Sequence, residues 1–555
     1  MAQRAEHPVV AAGRLPVTGA ARIPVAVGAA GAVLILMITL LLLQSLGLTE
    51  GRLTYALDDP YIHMAMAKNV AQHGVWGVTS YEFTSSTSSP LWTLLLGGGF
   101  VVAGVEPTIP LILNVLAAGL VIVVVGCMLD AGRPGRRGLA AIVLIVLVLC
   151  VPLAPLVMTG QEHVLHLLLV LLFAYLAARL LDGRQPLGPR ARAAFWILPP
   201  LLTLVRYESL FVILPVIMLL AARRRWGQGV LLGFLALAPL VAYGLFSMQQ
   251  GWALIPNPIL SKANLPHGDP GQMLKSLSGY LALRRLFVNP HLLLPVIAAL
   301  VWLVRAPRRD AGEGSLARPL LTIFLVATFL HVTFADVGWF YRYEAYLVGL
   351  ALVGLGIALF ELQAAAGGGR RGESHVRWRR PAAILLGILF VVAVGDRGVR
   401  AALATPRATA NIYEQQVQMG HFLARYYPAA PVAINDIGAA NFLADIRCLD
   451  LFGLANREVL AHIRAGTYGV ETVDRLARAH GARVAILHPN WLRTPASWER
   501  VGSWTIEKNI VNGGDTIAFY ALDRLAARSL AEHLRAFAPQ LPRTVVQRGT
   551  YVEIG

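Results

Sequence analysis

The sequence predicts a polytopic α-helical membrane protein with a C-terminal α/β domain outside the membrane. Three observations carry this reading. Of the 555 residues, 56% are hydrophobic and only 14% charged, with a mean hydropathy of +0.60, a balance that belongs to membrane spans rather than to several soluble domains. Apolar runs long enough for a hydrocarbon core of about 30 Å recur through the first 396 residues. From about residue 397 the composition turns ordinary, with 18 Lys/Arg and 13 Asp/Glu.

The first crossing follows a short tail, residues 1–22. No charged residue occurs from Ile23 to Thr49, and so long an apolar run followed by a polar loop reads as a retained helix, not a cleaved signal. Eleven crossings are expected, near 26–47, 107–129, 139–157, 163–181, 194–205, 209–221, 229–247, 290–304, 319–335, 344–362 and 381–396. The run 91–106 is short and Gly-rich and reads as a re-entrant or tilted helix. With the N-terminus inside, the cytoplasmic loops hold 21 Lys/Arg and the outer ones 8, as the positive-inside rule requires. Residues 48–90 and 248–289 then form large outer loops, and residues 397–555 an outer domain.

The net charge of +17 comes from arginines clustered in short loops between apolar runs, such as Arg133/Arg136/Arg137 and Arg223/Arg224/Arg225. That distribution is a topology signal and implies no nucleic-acid partner. The three cysteines, Cys127, Cys150 and Cys448, make no disulfide framework. In the outer domain, the runs 432–436, 447–453, 483–488 and 516–522 read as strands and 470–481 as a helix, which gives an α/β domain. No Gly-rich phosphate loop follows these strands, so neither a nucleotide nor a redox cofactor is expected.

The chemistry concentrates at the outer ends of the spans. Asp58 and Asp59 are adjacent carboxylates just after the first crossing; one pKa of such a pair is raised unless a cation or metal separates them, so the pair suits a base, a ligand for Mg²⁺, Mn²⁺ or Ca²⁺, or both. A solvated helix N-cap is the plainer alternative. Tyr61–Gln72 reads as an amphipathic helix suited to the membrane interface, and Trp92 as a headgroup anchor. Arg206, Lys262 and Arg342 are cations at outer span ends, where a lipid phosphate would sit. Arg206 paired with Glu208 or Glu162 as helix-end structure is the competing account. His63, His163 and His166 show no diagnostic metal spacing. Trp339, Phe340, Tyr341 and Tyr343 suit either a sugar-stacking wall or an interfacial aromatic belt.

The stretch LDDPYIHMAMAKNVAQHG followed by SSTSSPLW resembles the first outer loop of the C-type glycosyltransferases, in particular the branch of actinobacterial cell-wall arabinofuranosyltransferases. Asp58, Asp59, Tyr61, Ile62, Asn69, Gly74, Ser89, Pro90, Leu91 and Trp92 match; Ser88 replaces a Thr, and Lys68 lies near the place of a missing Arg. Further matches follow in chain order: TGQEHVLHLLL with Glu162, LVRYESL with Arg206 and Glu208, IPNPILSKA with Asn257 and Lys262, FYRYEAYLV with Tyr341 and Arg342, and NDIGAANFLADIRCLDLFGL in the outer domain.

The resemblance implies a catalytic membrane domain over residues 23–396 of a multi-pass protein of the bacterial plasma membrane. It implies an inverting transfer of a sugar, arabinofuranose or mannose-like, from a polyprenyl-phosphate donor to a cell-envelope glycan or other outer acceptor. Asp58 would deprotonate the acceptor, Asp59 would orient it or hold a divalent ion, and Arg206, Lys262, Arg342 and Lys68 would bind the donor phosphate. His63, Glu162, Glu208, Asn257 and Tyr341 would contact substrate. The alternative is a transporter or flippase for lipid-linked sugars, which would place its charges near the bilayer midplane.

Overall fold

The computed structural model describes residues 24–130, 134–183, 186–262, 280–305, 314–367 and 379–552. The tail 1–22, Arg133 and residues 263–279 of the loop 248–289 lie outside them, as does the side chain of Lys262. Among the described residues, six helices are long and apolar enough to cross a membrane: Val25–Leu48, Ile109–Met128, His163–Asp182, Trp226–Gln249, Ala317–Phe334 and Ala345–Gln363. Pro90–Ala103, Arg137–Cys150, Tyr207–Ala222 and Pro290–Arg305 are apolar but shorter. Each of the eleven expected crossings falls on a helix. The run 139–157 is broken at Val151–Pro152, where the helix ends at Cys150 and resumes as Leu153–Met158, since proline supplies no N–H to continue the ladder.

The expected boundary at 396 is corrected. The last crossing does not stop there but continues as one helix, Arg379–Ile412, then through a π-helical turn at Tyr413–Val417 into Gln418–Tyr426. Part of this helix is pressed against the bundle backbone. A Cβ built on Gly398 would lie 1.9 Å from the carbonyl oxygen of Leu149. Gly398→Ala is therefore expected to force the helices apart and cost about 1–3 kcal/mol, read as a lower melting temperature of the detergent-solubilised protein.

The C-terminal domain, called the outer domain after its expected side, carries a six-stranded sheet: β1 Pro431–Ile434, β2 Arg447–Asp450, β3 Val484–Leu487, β4 Glu499–Thr505, β5 Thr516–Ala521 and β6 Val546–Gly549. Its order is β2-β1-β3-β5-β4-β6, with β2, β1 and β3 parallel and the other pairings antiparallel. β3 is buried along its whole length, as a central strand covered on both faces requires.

Two of the sequence expectations about the first outer loop do not hold. The helix Asp59–His73 does not lie in the interface with one wet face; Tyr61 through Ala67 are all buried. It is packed between Pro90–Ala103 and the outer domain's Gly438–Leu443 helix. Trp92, expected as a headgroup anchor, is also buried. The cause is a single apolar core in which Tyr61, Met66, Trp92 and Phe100 join Phe422, Ile434, Trp504 and Phe519 of the outer domain. The domain is thus packed onto the membrane part along a shared interior and is not hung from it by a linker.

Candidate active site

Pro60 stands near the start of the Asp59–His73 helix, where its missing N–H costs nothing, and Asp58 is the cap residue. Its carboxylate does not cap its own helix. It turns instead to the outer domain, where Oδ2 accepts from the Gly438 N–H and Oδ1 from the Ala439 N–H, both at 2.8 Å. Burial and then the neighbouring Asp436 carboxylate raise the Asp58 pKa to about 7, against the pull of the two backbone donors. Gly438 has no alternative side chain: a Cβ there would stand 2.2 Å from the Asp58 carbonyl oxygen.

Asp436 is a residue the sequence reading missed. It accepts from Gln416 Nε2 at 2.8 Å and pairs with His488 Nε2 at 2.8 Å. Burial opposes the charge on His488, yet Asp436 holds that imidazole above its ordinary pKa. The segment containing Asp436 and Gly438 matches a family pattern, but a carboxylate 52 residues from its histidine gives no local spacing to read.

Asp59 faces the other way. Its Oδ2 takes Arg342 Nη2 at 2.5 Å, and Arg342, almost wholly buried, also donates to Gln161 Oε1 and Tyr343 Oη. The Arg342 Nε is buried without a hydrogen-bond partner. Arg206 is arranged differently. Its Nη1 meets Glu162 Oε1 at 2.6 Å, and its Nε and Nη2 fork onto Glu208 at 3.2 and 2.5 Å. Each of the three Arg206 nitrogens has an acceptor, whereas the Arg342 Nε has none among the described residues.

Two cavities meet at this point. The first, about 260 Å³, is lined both by polar side chains, among them Asp59, Gln161, Arg206, Glu208 and Arg342, and by apolar ones, among them Leu210, Phe211, Pro258 and Phe334. The second, about 470 Å³, lies between the membrane part and the outer domain and is lined by Asp58, Gln416, Asn435, Asp436, Trp339 and Trp491. Asp59, Asp336 and Tyr343 line both. Asp58 and Asp59, adjacent in sequence, therefore stand where the two cavities adjoin, Asp59 lining both and Asp58 the second.

The remaining expected site residues are placed as follows. Lys68 lines neither cavity; its Nζ donates to the carbonyls of Asn441 and Phe442 at 3.0 and 2.7 Å and ties the helix to the outer domain. His63 is buried against Thr87 and Thr93, 3.8 Å from Glu162, and supports that carboxylate from behind. Asn257 is also structural, donating to the Gly453 carbonyl at 2.9 Å while its neighbours Pro258 and Ile259 line the cavity. Tyr341 is turned toward Arg397, which its carbonyl and ring both engage, and Tyr343 is the tyrosine on the cavity wall. Lys262 ends the short helix Asn257–Lys262, and its side chain lies outside the described residues.

The wall segment around Tyr343 is held under strain. Trp339, Phe340 and Tyr341 follow one another at φ of 37°, 57° and 63°, a left-handed run costing about 1–2 kcal/mol per residue. What holds it is a buried hub the sequence reading did not find: Glu344 accepts from the Gly338 N–H at 2.8 Å and pairs with Arg397 at 2.8 Å and His291 at 3.3 Å. Arg397 stood at the expected domain boundary, so only the continued helix brings it here.

A divalent ion does not fit the pair as arranged. Both Asp58 oxygens accept backbone N–H groups and Asp59 is held by a guanidinium, and among the described residues no cluster of three His, Cys, Asp or Glu could hold a metal.

Comparison with known proteins adds the following. Residues 410–520 match a family described as a domain of unknown function, DUF8728. No curated protein matches the chain. Among solved structures, ArnT from Cupriavidus metallidurans bound to undecaprenyl phosphate is similar over 89% of this chain and 99% of that one, at 14% identity and a TM-score of 0.47. ArnT in the apo state is similar over 90% and 99%, at the same identity and score.

Proposed function

We propose that this chain is an inverting glycosyltransferase that takes a sugar from a polyprenyl-phosphate carrier at the outer face of the bacterial plasma membrane, with the N-terminus cytoplasmic. The observation that carries the reading is the meeting of the two cavities at Asp58 and Asp59. A donor of this kind has an isoprenyl chain, a phosphate and a sugar in line. The amphipathic pocket offers apolar side chains for the first isoprene units and the buried Arg342 for the phosphate. A phosphate on Arg342 competes with Asp59, so donor binding releases that carboxylate toward the second cavity.

The acceptor enters from the polar cavity. Its hydroxyl oxygen attacks the anomeric carbon as the bond from that carbon to the phosphate oxygen breaks; Asp58 takes the hydroxyl proton, and polyprenyl phosphate departs with the bond's electron pair. A base poised near neutrality is matched to this task, and Arg342 stabilises charge gathering on the phosphate. Attack from the face opposite the leaving group inverts the anomeric centre. The donor sugar is arabinofuranose or mannose-like on the sequence resemblance, and the acceptor a cell-envelope glycan. The described buried ion pairs Glu162–Arg206, Asp59–Arg342 and Glu344–Arg397 involve helix ends or the segments joining them, which favours this reading over transport through the midplane.

Binding provides the test. Undecaprenyl phosphate is expected to raise the melting temperature of the purified protein, whereas the uncharged polyprenol is not, and Arg342→Gln should remove the difference while binding about tenfold or more weakly. Equal stabilisation by phosphate and polyprenol would remove the basis for a phosphate seat.

A further inference from the structure

We propose that the acceptor is an anionic glycan whose chain continues from the catalytic cavity into a groove on the outer domain, where Arg464 and Arg493 hold its phosphate or carboxylate. The inference rests on the glycosyl-transfer reading and adds a ligand class and a second binding region to it. The groove, about 840 Å³, shares Asn435, Phe452 and Trp491 with the cavity beside Asp58, so the two are continuous.

The junction is built for a flat, partly apolar ligand. Phe452 and Trp491 are 41% and 43% exposed and stand 5.2 Å apart, ring to ring. Trp491 is fixed in place: its Nε1–H donates to the Gly513 carbonyl at 2.8 Å, and a Cβ on Gly513 would come within 1.9 Å of its ring. A rigid exposed indole offers its face to the C–H side of a pyranose or furanose at little entropic cost.

Beyond the aromatic pair, Leu460, Ile463 and Tyr468 line the groove together with Arg464 and Arg493. Their place on the groove wall sets these two apart from the domain's other arginines without an ion pair. Arg475, Arg478 and Arg483 each pair with an acid, at 3.4, 2.9 and 2.8 Å, whereas among the described residues Arg464 and Arg493 have no such partner. Two unspent guanidiniums beside an aromatic floor complement a planar or tetrahedral oxyanion carried on a sugar.

The experiment measures binding of full-length protein in detergent to three probes: trigalacturonate, mannotriose 6-phosphate and neutral mannotriose, followed by tryptophan fluorescence and calorimetry. One anionic probe is expected to bind about tenfold or more tightly than the neutral one at low salt, and which one does so identifies the anion as carboxylate or phosphate. Arg464→Ala/Arg493→Ala, two exposed positions, should abolish the preference and raise the KM for the native membrane acceptor without changing kcat. Asp58→Asn should leave the preference intact. Equal binding of all three probes, no binding of any, or a preference that survives the double variant overturns the proposal. Failure of the underlying reading looks different: the groove preference would stand, and Asp58→Asn would still transfer sugar.

Discussion

Asp58→Asn protein is expected to lose roughly 10²–10⁴-fold in transfer rate while still binding undecaprenyl phosphate. Asparagine keeps the shape of the side chain and can still accept one backbone N–H, but it cannot take a proton from the attacking hydroxyl. The pH profile makes the assignment specific. Because burial and Asp436 lift the Asp58 carboxyl to about 7, and because a base works only when ionised, the wild-type rate should fall as pH drops below about 7 and level off above it. A profile flat from mild acid to mild alkali, or an Asn variant that turns over at the wild-type rate, would assign the proton to another group.

Gly438→Ala is expected to produce nearly as large a loss from a residue that touches no substrate. The added methyl would stand 2.2 Å from the Asp58 carbonyl oxygen and 2.5 Å from its Oδ2, so Asp58 must be displaced. A displacement of about 1 Å at a reacting group costs on the order of 10²-fold. The displaced carboxylate also loses the Gly438 and Ala439 N–H groups that lower its pKa, so the acid limb of the pH profile should move to higher pH. A variant that lost only stability would keep its limb where the wild type has it, and kcat measured below its melting point would be normal.

The helices of the membrane part were legible in the sequence because each is written locally, as a run of apolar residues. The convergence of Asp59, Arg206 and Arg342, more than a hundred residues apart, was legible only as far as each stood at an outer span end. Their roles were not. For Arg206 the sequence left open a phosphate ligand or a partner of Glu162 or Glu208; the structure shows both ion pairs on a side chain that still lines the cavity. Lys68 looked free because its partners are main-chain carbonyls, which carry no sequence signature. Asp436, His488 and Glu344 were invisible for the complementary reason: each belongs to a cluster assembled from different elements. The strands β4 and β6 escaped because their alternation is weak and interrupted by glycine.

The interior shared by Trp92, Phe100, Phe422 and Phe519 makes the two halves of this polypeptide inseparable as objects of experiment. Cutting the chain near residue 400 would not yield a bare membrane enzyme stripped of an accessory; it would strip the lid from a greasy interior and free the reactive carboxylate from the amides that aim it. Chimeras face the same obstacle, because an outer half borrowed from elsewhere must arrive with side chains that interlock with a helix it never met.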